Sequence, residues 1–172
     1  MITLVLGGTR SGKSEVAEAL VAQAGGPVTY VATGRATDAD MAARIAAHRA
    51  RRPAAWATAE VVDAADLPGL VSELGGHVLV DSLGTWVAGD PGLSPDAAAL
   101  CGALVARDRA GTGDTVVVSE EVGMGVHPPT EVGRRFADAL GELNRAVADR
   151  ADRVLLVVAG RVLSLDRVGG SG

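Results

Sequence analysis

Aromatic side chains are almost missing from this chain: two Trp, one Tyr and one Phe make up 2% of its 172 residues, while 48% are hydrophobic. A core must then be assembled from Val, Leu and Ala, which suits buried parallel strands covered by Ala-rich helices. Cysteine is reduced to Cys101, so no internal disulfide is available, and the residue reads as a small buried helix position. No apolar run approaches the ~20 residues that a membrane span requires. The chain opens on a core strand in place of a charged leader, and the expectation is a cytoplasmic protein. Net charge of −5 argues against a general nucleic-acid or anionic-membrane binder. Lysine is scarcest of all, since the sixteen basic residues are fifteen Arg and one Lys. At this length the chain reads as one domain, residues 1–172, able to bury about 70% of the surface its unfolded form exposes.

The single lysine stands where a flexible point charge is wanted. Gly7-Gly8-Thr9-Arg10-Ser11-Gly12-Lys13-Ser14 fits G-x-x-x-x-G-K-S/T, the pattern of a phosphate-binding P-loop. Glycines let the backbone curl until several N–H groups converge on an anion, and the helix that follows adds its positive dipole end. In that pattern Lys13 reaches the β/γ-phosphates and Ser14 holds Mg²⁺. The flanks agree: Ile2 to Leu6 is an apolar, partly β-branched run, and Ser14 to Ala24 is rich in helix formers.

Further along, Val28 to Ala32 reads as a strand closed by Thr33-Gly34. Asp38 to Arg51 reads as a helix stopped by Pro53, with Met41, Ile45 and His48 on one stripe and arginines around it. Trp56 to Glu60 is a short extended segment, Asp66 to Leu74 a helix, and His77 to Asp81 an apolar strand ending in an acid. That last pattern places a carboxylate beside the P-loop, where it can hold Mg²⁺. A helix starts at Ser94-Pro95-Asp96, a strand covers Thr115 to Ser119, a long amphipathic helix runs from Thr130 to Ala148, and strands follow at Arg153 to Ala159 and Arg161 to Leu165. Residues 166–172 read as a disordered Gly/Ser tail. Alternating strands and helices predict an α/β fold of the RecA-like P-loop type, a mostly parallel sheet with helices on both faces.

Taken alone, a P-loop means nucleoside triphosphate and Mg²⁺ and does not choose between kinase, ATPase, switch and nucleotidyl transferase. His48 is a candidate nucleophile, although a lone helical His is more often a packing or surface residue. The cluster Arg49, Arg51, Arg52 either meets an anion or complements the end of its helix. Glu120-Glu121 serves equally as a functional pair or a capping pair, and His77 and His127 read as structural.

Four blocks then carry a resemblance: the P-loop itself; Y-V-A-T-G-x-x-x-D-x-D-M-x-x-R-I-x-x-H-x-x-x-R-P-x-x-W-x-T-x-E from Tyr30 to Glu60; V-S-E-E-V-G-M-G-V-x-P from Val118 to Pro128; and R-R-F-A-D-x-x-G-x-x-N from Arg134 to Asn144. Together they closely resemble the bifunctional adenosylcobinamide kinase/adenosylcobinamide-phosphate guanylyltransferases of cobalamin synthesis. The resemblance implies a homotrimer that phosphorylates adenosylcobinamide with ATP or GTP, then transfers GMP from GTP onto the new phosphate through a guanylylated histidine, here His48. It also implies nucleotide contacts at Gly7, Gly8, Thr9, Arg10, Ser11, Gly12, Lys13, Ser14, Ala32, Thr33, Gly34, Arg49, Ala50, Arg51, Arg52, Glu60 and Asp81, with Ser14 and Asp81 on Mg²⁺ and a corrinoid as acceptor.

Three departures stand out. The family usually has Asn where Glu120 stands, and D-C-L-T-x-W with an Asn soon after where this chain has Asp81-Ser82-Leu83-Gly84-Thr85-Trp86 and a shortened connection. The last strand, Arg161 to Leu165, lacks the family's frequent Pro and Lys. The competing readings are a single-activity P-loop kinase or NTPase in which His48 is incidental, and a GTP-dependent switch, which has no use for a nucleophile.

Overall fold

Strand β5 (Thr115–Glu120) carries three consecutive valines and is buried over its first five residues, the signature of a strand covered on both faces. It lies at the centre of a seven-stranded sheet. The others are β1 (Ile2–Gly7), β2 (Val28–Ala32), β3 (Ala57–Glu60), β4 (His77–Asp81), β6 (Arg153–Val158) and β7 (Arg161–Ser164), in the order β3-β2-β4-β5-β1-β6-β7. The structure, a computed structural model, describes residues 1–34, 43, 46, 49, 50 and 52–167. Of the helix expected over 38–51, only Ala43, Ala46, Arg49 and Ala50 are described, all helical; Met41, Ile45, His48 and Arg51 lie outside the described residues.

All pairings are parallel except that of β6 with β7, which is antiparallel. The reason is local. Ala159 and Gly160 both take positive φ, 49° and 70°, and that pair of left-handed residues turns the chain straight back as a hairpin.

Helices cover both faces. Helix α1 (Lys13–Gln23) packs Ala17 and Val21 with Val5, Leu79, Val116, Val118 and Val157 on one face. On the other, α2 (Asp66–Glu73), α3 (Leu83–Gly89), α4 (Ala97–Arg109) and α5 (Glu131–Ala148) cover Leu4, Val31, Val78, Val80 and Val117. Helix α5 shows why it forms: Phe136, Leu140, Leu143 and Val147 recur at helical spacing and meet that core, and the Thr130 hydroxyl caps its start by accepting from Gly133 N–H at 3.1 Å. Each fully buried Leu or Val contributes about 1.5–3 kcal/mol of transfer free energy.

Helix α3 is absent from the sequence expectation. It is short and holds two glycines, so propensity argues against it. Packing decides otherwise: Leu83, Trp86 and Val87 are buried, the Trp86 indole N–H donates to the Ala64 carbonyl at 2.7 Å, and Ser82 and Thr85 form a reciprocal capping box. At the other end of the chain, the Arg167 guanidinium meets Asp149; 168–172 lie outside the described residues. Among the described residues, no helix is long and apolar enough to cross a membrane.

Candidate active site

The register of the parallel strands brings several polar residues to one edge. Gly7 pairs with Glu120, and Ala32 with both Asp81 and Glu60, so the carboxyl ends of β1, β2, β3, β4 and β5 open on the same side. This is the side on which open α/β sheets bind ligands.

At the end of β1 the backbone turns through Gly8, Thr9, Arg10 and Ser11 into α1. Ser11 N–H donates to the Gly8 carbonyl at 3.2 Å, and Gly160 N–H from the β6–β7 turn donates to the Ser11 carbonyl at 2.8 Å. Gly12 sits at φ 92°, ψ 8° as the N-cap of α1, a left-handed conformation that side chains with a Cβ disfavour. Its carbonyl accepts from Val16 N–H at 3.0 Å, starting the helix while the amides of its first turn still face the loop. Ser14 lies in that first turn, half-buried.

The Lys13 ammonium folds back over the loop to the Gly8 carbonyl at 3.4 Å and lies 3.4 Å from Glu120 Oε1. The other oxygen of Glu120 accepts from the Ser82 hydroxyl and from Gly84 N–H, each at 3.1 Å. One of the two undecided acids thus faces the P-loop. Glu121 turns into its own loop, accepting from Gly123 N–H at 2.7 Å.

Asp81 ends β4 as expected, and its Oδ2 accepts from the Tyr30 hydroxyl at 2.5 Å. Burial pushes the Tyr30 phenol above its ordinary pKa, and the charge of Asp81 and its hydrogen bond raise it further, so the phenol stays a donor and orients the carboxylate. Beside it, Thr33 Oγ1 donates to the Ser82 carbonyl at 2.6 Å and accepts from Ser82 N–H at 2.8 Å. Thr85 Oγ1 lies 2.6 Å from the same Thr33 oxygen. These hydroxyls lock the β2 and β4 ends together.

Farther out, the Arg52 guanidinium stacks on the Tyr30 ring, 3.6 Å from its centroid, an arrangement that planar guanidinium favours. Arg49 reaches Glu60 Oε1 at 3.2 Å with both side chains exposed, and Ala50 is exposed beside it. Such a pair contributes little to stability. His77 is structural: its Nδ1 accepts from Asp114 N–H at 3.0 Å at the opposite edge of the sheet. His127 is exposed on the loop after β5.

Among the described residues no group of three or more His, Cys, Asp and Glu side chains gathers as a metal cage. Ser14 and Asp81 offer hydroxyl and carboxylate oxygens, the hard donors that Mg²⁺ takes a few at a time alongside water and phosphate oxygens. The donor chemistry therefore fits.

Sequence reasoning missed Tyr30 as partner of Asp81, Glu120 as partner of Lys13, and the Thr33–Ser82–Thr85 hydroxyls. Of these only Ser82 and Thr85 are close in sequence, and their spacing lacks the Glu or Gln that marks a capping box in a sequence.

The sequence model of one family, cobinamide kinase / cobinamide phosphate guanyltransferase, matches residues 3–165. The chain belongs to this family. It is 44% identical over 170 residues to the bifunctional adenosylcobalamin biosynthesis protein CobP of Pseudomonas aeruginosa, covering 96% of this chain and 97% of that protein. To the bifunctional adenosylcobalamin biosynthesis protein CobU of Salmonella typhimurium it is 38% identical, over 93% and 97% of the two chains. In three dimensions it is similar to an ATPase from the type III secretion system of pathogenic bacteria, with a TM-score of 0.54 at 11% identity. That match covers 90% of this chain and 50% of the ATPase chain, and it speaks for the P-loop fold alone. The cobinamide kinase/guanylyltransferase match spans every element from β1 to β7.

Proposed function

We propose that this chain phosphorylates the aminopropanol hydroxyl of adenosylcobinamide with ATP or GTP, and then transfers GMP from GTP to the resulting phosphate, giving adenosylcobinamide-GDP and pyrophosphate. The observation that carries the reading is Lys13, the only lysine, drawn over a P-loop turn in a chain of the cobinamide kinase/guanylyltransferase family.

In the first reaction the acceptor hydroxyl oxygen forms a bond to the γ-phosphorus as the bond to the β-phosphate oxygen breaks; the nucleoside diphosphate leaves with that electron pair, and the hydroxyl proton passes to solvent. Lys13 and the amides at the start of α1 meet the charge on the transferring group, which is where a P-loop contributes most. Ser14 and Asp81 would hold Mg²⁺, which when bound neutralises phosphate charge; Tyr30 keeps the Asp81 carboxylate aimed. In the second reaction a neutral imidazole nitrogen of His48 attacks the α-phosphorus of GTP, an N–P bond forms, and pyrophosphate leaves with the electron pair of the broken P–O bond. An oxygen of adenosylcobinamide phosphate then displaces the imidazole. Gly7 to Ser14, Ala32, Thr33, Gly34, Arg49, Ala50, Arg51, Arg52, Glu60 and Asp81 make the nucleotide contacts in this reading, and the assembly is a cytoplasmic homotrimer.

The test is incubation with α-labelled GTP and Mg²⁺ followed by denaturing electrophoresis. The wild type should retain label that is lost in acid and kept in alkali, as an N–P bond requires. His48→Ala should carry none, accumulate adenosylcobinamide phosphate and make no GDP-corrinoid. Acid-labile label on His48→Ala moves the nucleophile elsewhere, with His127 next; no covalent label on the wild type leaves a single-activity kinase or a switch.

A further inference from the structure

Glu120 and the start of α3 meet in one contact. Glu120 Oε2 takes the Ser82 hydroxyl and Gly84 N–H, and Oε1 faces the Lys13 ammonium. A Cβ built on Gly84 runs into Oε2 and comes within 2.9 Å of the carboxyl carbon. The backbone that carries Glu120 is fixed from both sides: its carbonyl accepts from the Asn144 amide at 3.0 Å, and the next N–H donates to the Gly7 carbonyl at 3.1 Å. A carboxylate anchored on one oxygen and on its main chain thus presents its other oxygen to the P-loop lysine.

We propose that Glu120 is a positioning residue for Lys13, and that position 84 is glycine so that the carboxylate can reach it. The inference rests on the nucleotide-binding part of the reading above and adds to it a residue and a constraint. A lysine stem has four flexible bonds and loses much of its rotamer freedom when fixed. Holding the ammonium between Gly8 and Glu120 before the nucleotide arrives removes that cost from the transfer step. It has a drawback, because the carboxylate competes with phosphate for the lysine and repels a polyanion. The wild type therefore trades nucleotide affinity for rate.

Glu120→Gln keeps an acceptor for Ser82 and Gly84 but loses the charge on Lys13. It should bind a fluorescent GTP analogue about threefold more tightly while phosphoryl transfer to adenosylcobinamide slows about tenfold, with the melting temperature near the wild-type value. A role in stability alone predicts the opposite pattern: a lower melting temperature with affinity unchanged or weakened, and that result overturns the proposal. Gly84→Ala supplies the second arm. Alanine favours a helix over glycine, so any loss comes from the contact with Glu120. Gly84→Ala should slow transfer in the wild-type background and add little to Glu120→Asn, whose shorter side chain withdraws the atoms that the new methyl group meets. Equal losses in the two backgrounds sink the coupling. Failure of the wild type to phosphorylate adenosylcobinamide would count against the substrate reading alone, since the affinity measurements and circular dichroism need no acceptor.

Discussion

Two cations carried by helices at opposite edges of the sheet, Arg107 and Lys13, differ in how tightly they are held, and the difference separates a structural charge from the one proposed to meet the nucleotide. Arg107, on α4 near the amino-terminal edge of the sheet, is 2% exposed, and its guanidinium donates to Thr115 Oγ1 at 2.9 Å and to the carbonyls of Leu74 and Gly76. Burial lowers its pKa, yet the donors along its planar fork are met by neutral oxygens that cannot leave. Lys13, at the carboxyl edge, is held at 3.4 Å by one carbonyl and one carboxylate, long contacts on a flexible stem. The first is a fixed joint between α2, α4 and β5; the second is a charge that an incoming phosphate can redirect. The rest of the amino edge behaves like Arg107: Ile2 N–H donates to Asp152 at 2.7 Å, and His77 is occupied by Asp114.

Removing each cation in turn tests this distinction most directly. Lys13→Ala should lower phosphoryl transfer by about 10²–10³-fold or more, the range for deleting one preorganised donor to a developing charge, with the circular dichroism spectrum and melting temperature kept. Arg107→Met should do the reverse. Leaving two carbonyls and a hydroxyl without their donor is expected to cost about 3 kcal/mol, roughly 10 °C in melting temperature for a chain of this size, while turnover per folded molecule stays unchanged. An active-site loss in Arg107→Met at a temperature where it is folded, or a destabilised Lys13→Ala, would erase the distinction.

How far this contrast was legible in the sequence differs between the two ends. The P-loop announced itself because its geometry is local: strand, glycines, lysine and helix are consecutive, so residue type and spacing carry the structure. The acid at the end of β4 was legible for the same reason. Glu120 was not, since its meeting with Lys13 depends on β5 lying beside β1, and adjacency of strands distant in sequence leaves no periodic trace. Arg107 was passed over in the sequence, although it continues the stripe Leu100, Ala103, Leu104 on α4, all buried, and a charge on an apolar stripe is the mark of a buried joint. Helix α3 failed the propensity test because its stability comes from Trp86 and the caps, which act through tertiary contacts. The Asp38 to Arg51 helix with His48 rests on the sequence reading and the family resemblance.

A smaller effect is expected at Asp81, which sharpens the functional side. Asp81→Asn keeps the shape that Tyr30 holds but loses the charge suited to Mg²⁺. Mg²⁺-dependent turnover should fall about tenfold or more, whereas nucleotide binding measured in chelator should change little. Equal losses in both assays would remove the carboxylate from metal binding and leave it, like Arg107, a joint.

The smallest effect is expected at Tyr30, and it can be read directly because this is the only tyrosine in the chain. Burial raises its phenol pKa, with the Asp81 charge and hydrogen bond adding to the shift. A folded-state pKa raised above the unfolded value of ~10 means that the folded chain keeps a proton which the unfolded chain gives up. The contribution is fully present below pH ~10 and is lost as pH rises beyond it towards the folded value, so wild-type stability should acquire a falling alkaline limb starting near pH ~10. Tyr30→Phe should lack that limb, at a cost of about 1 kcal/mol near neutrality for the missing hydrogen bond. Tyrosinate absorbance should appear in the wild type together with unfolding; a reversible tyrosinate signal near pH ~10 while the chain remains folded would show that the phenol is solvated and that Asp81 is not oriented by it.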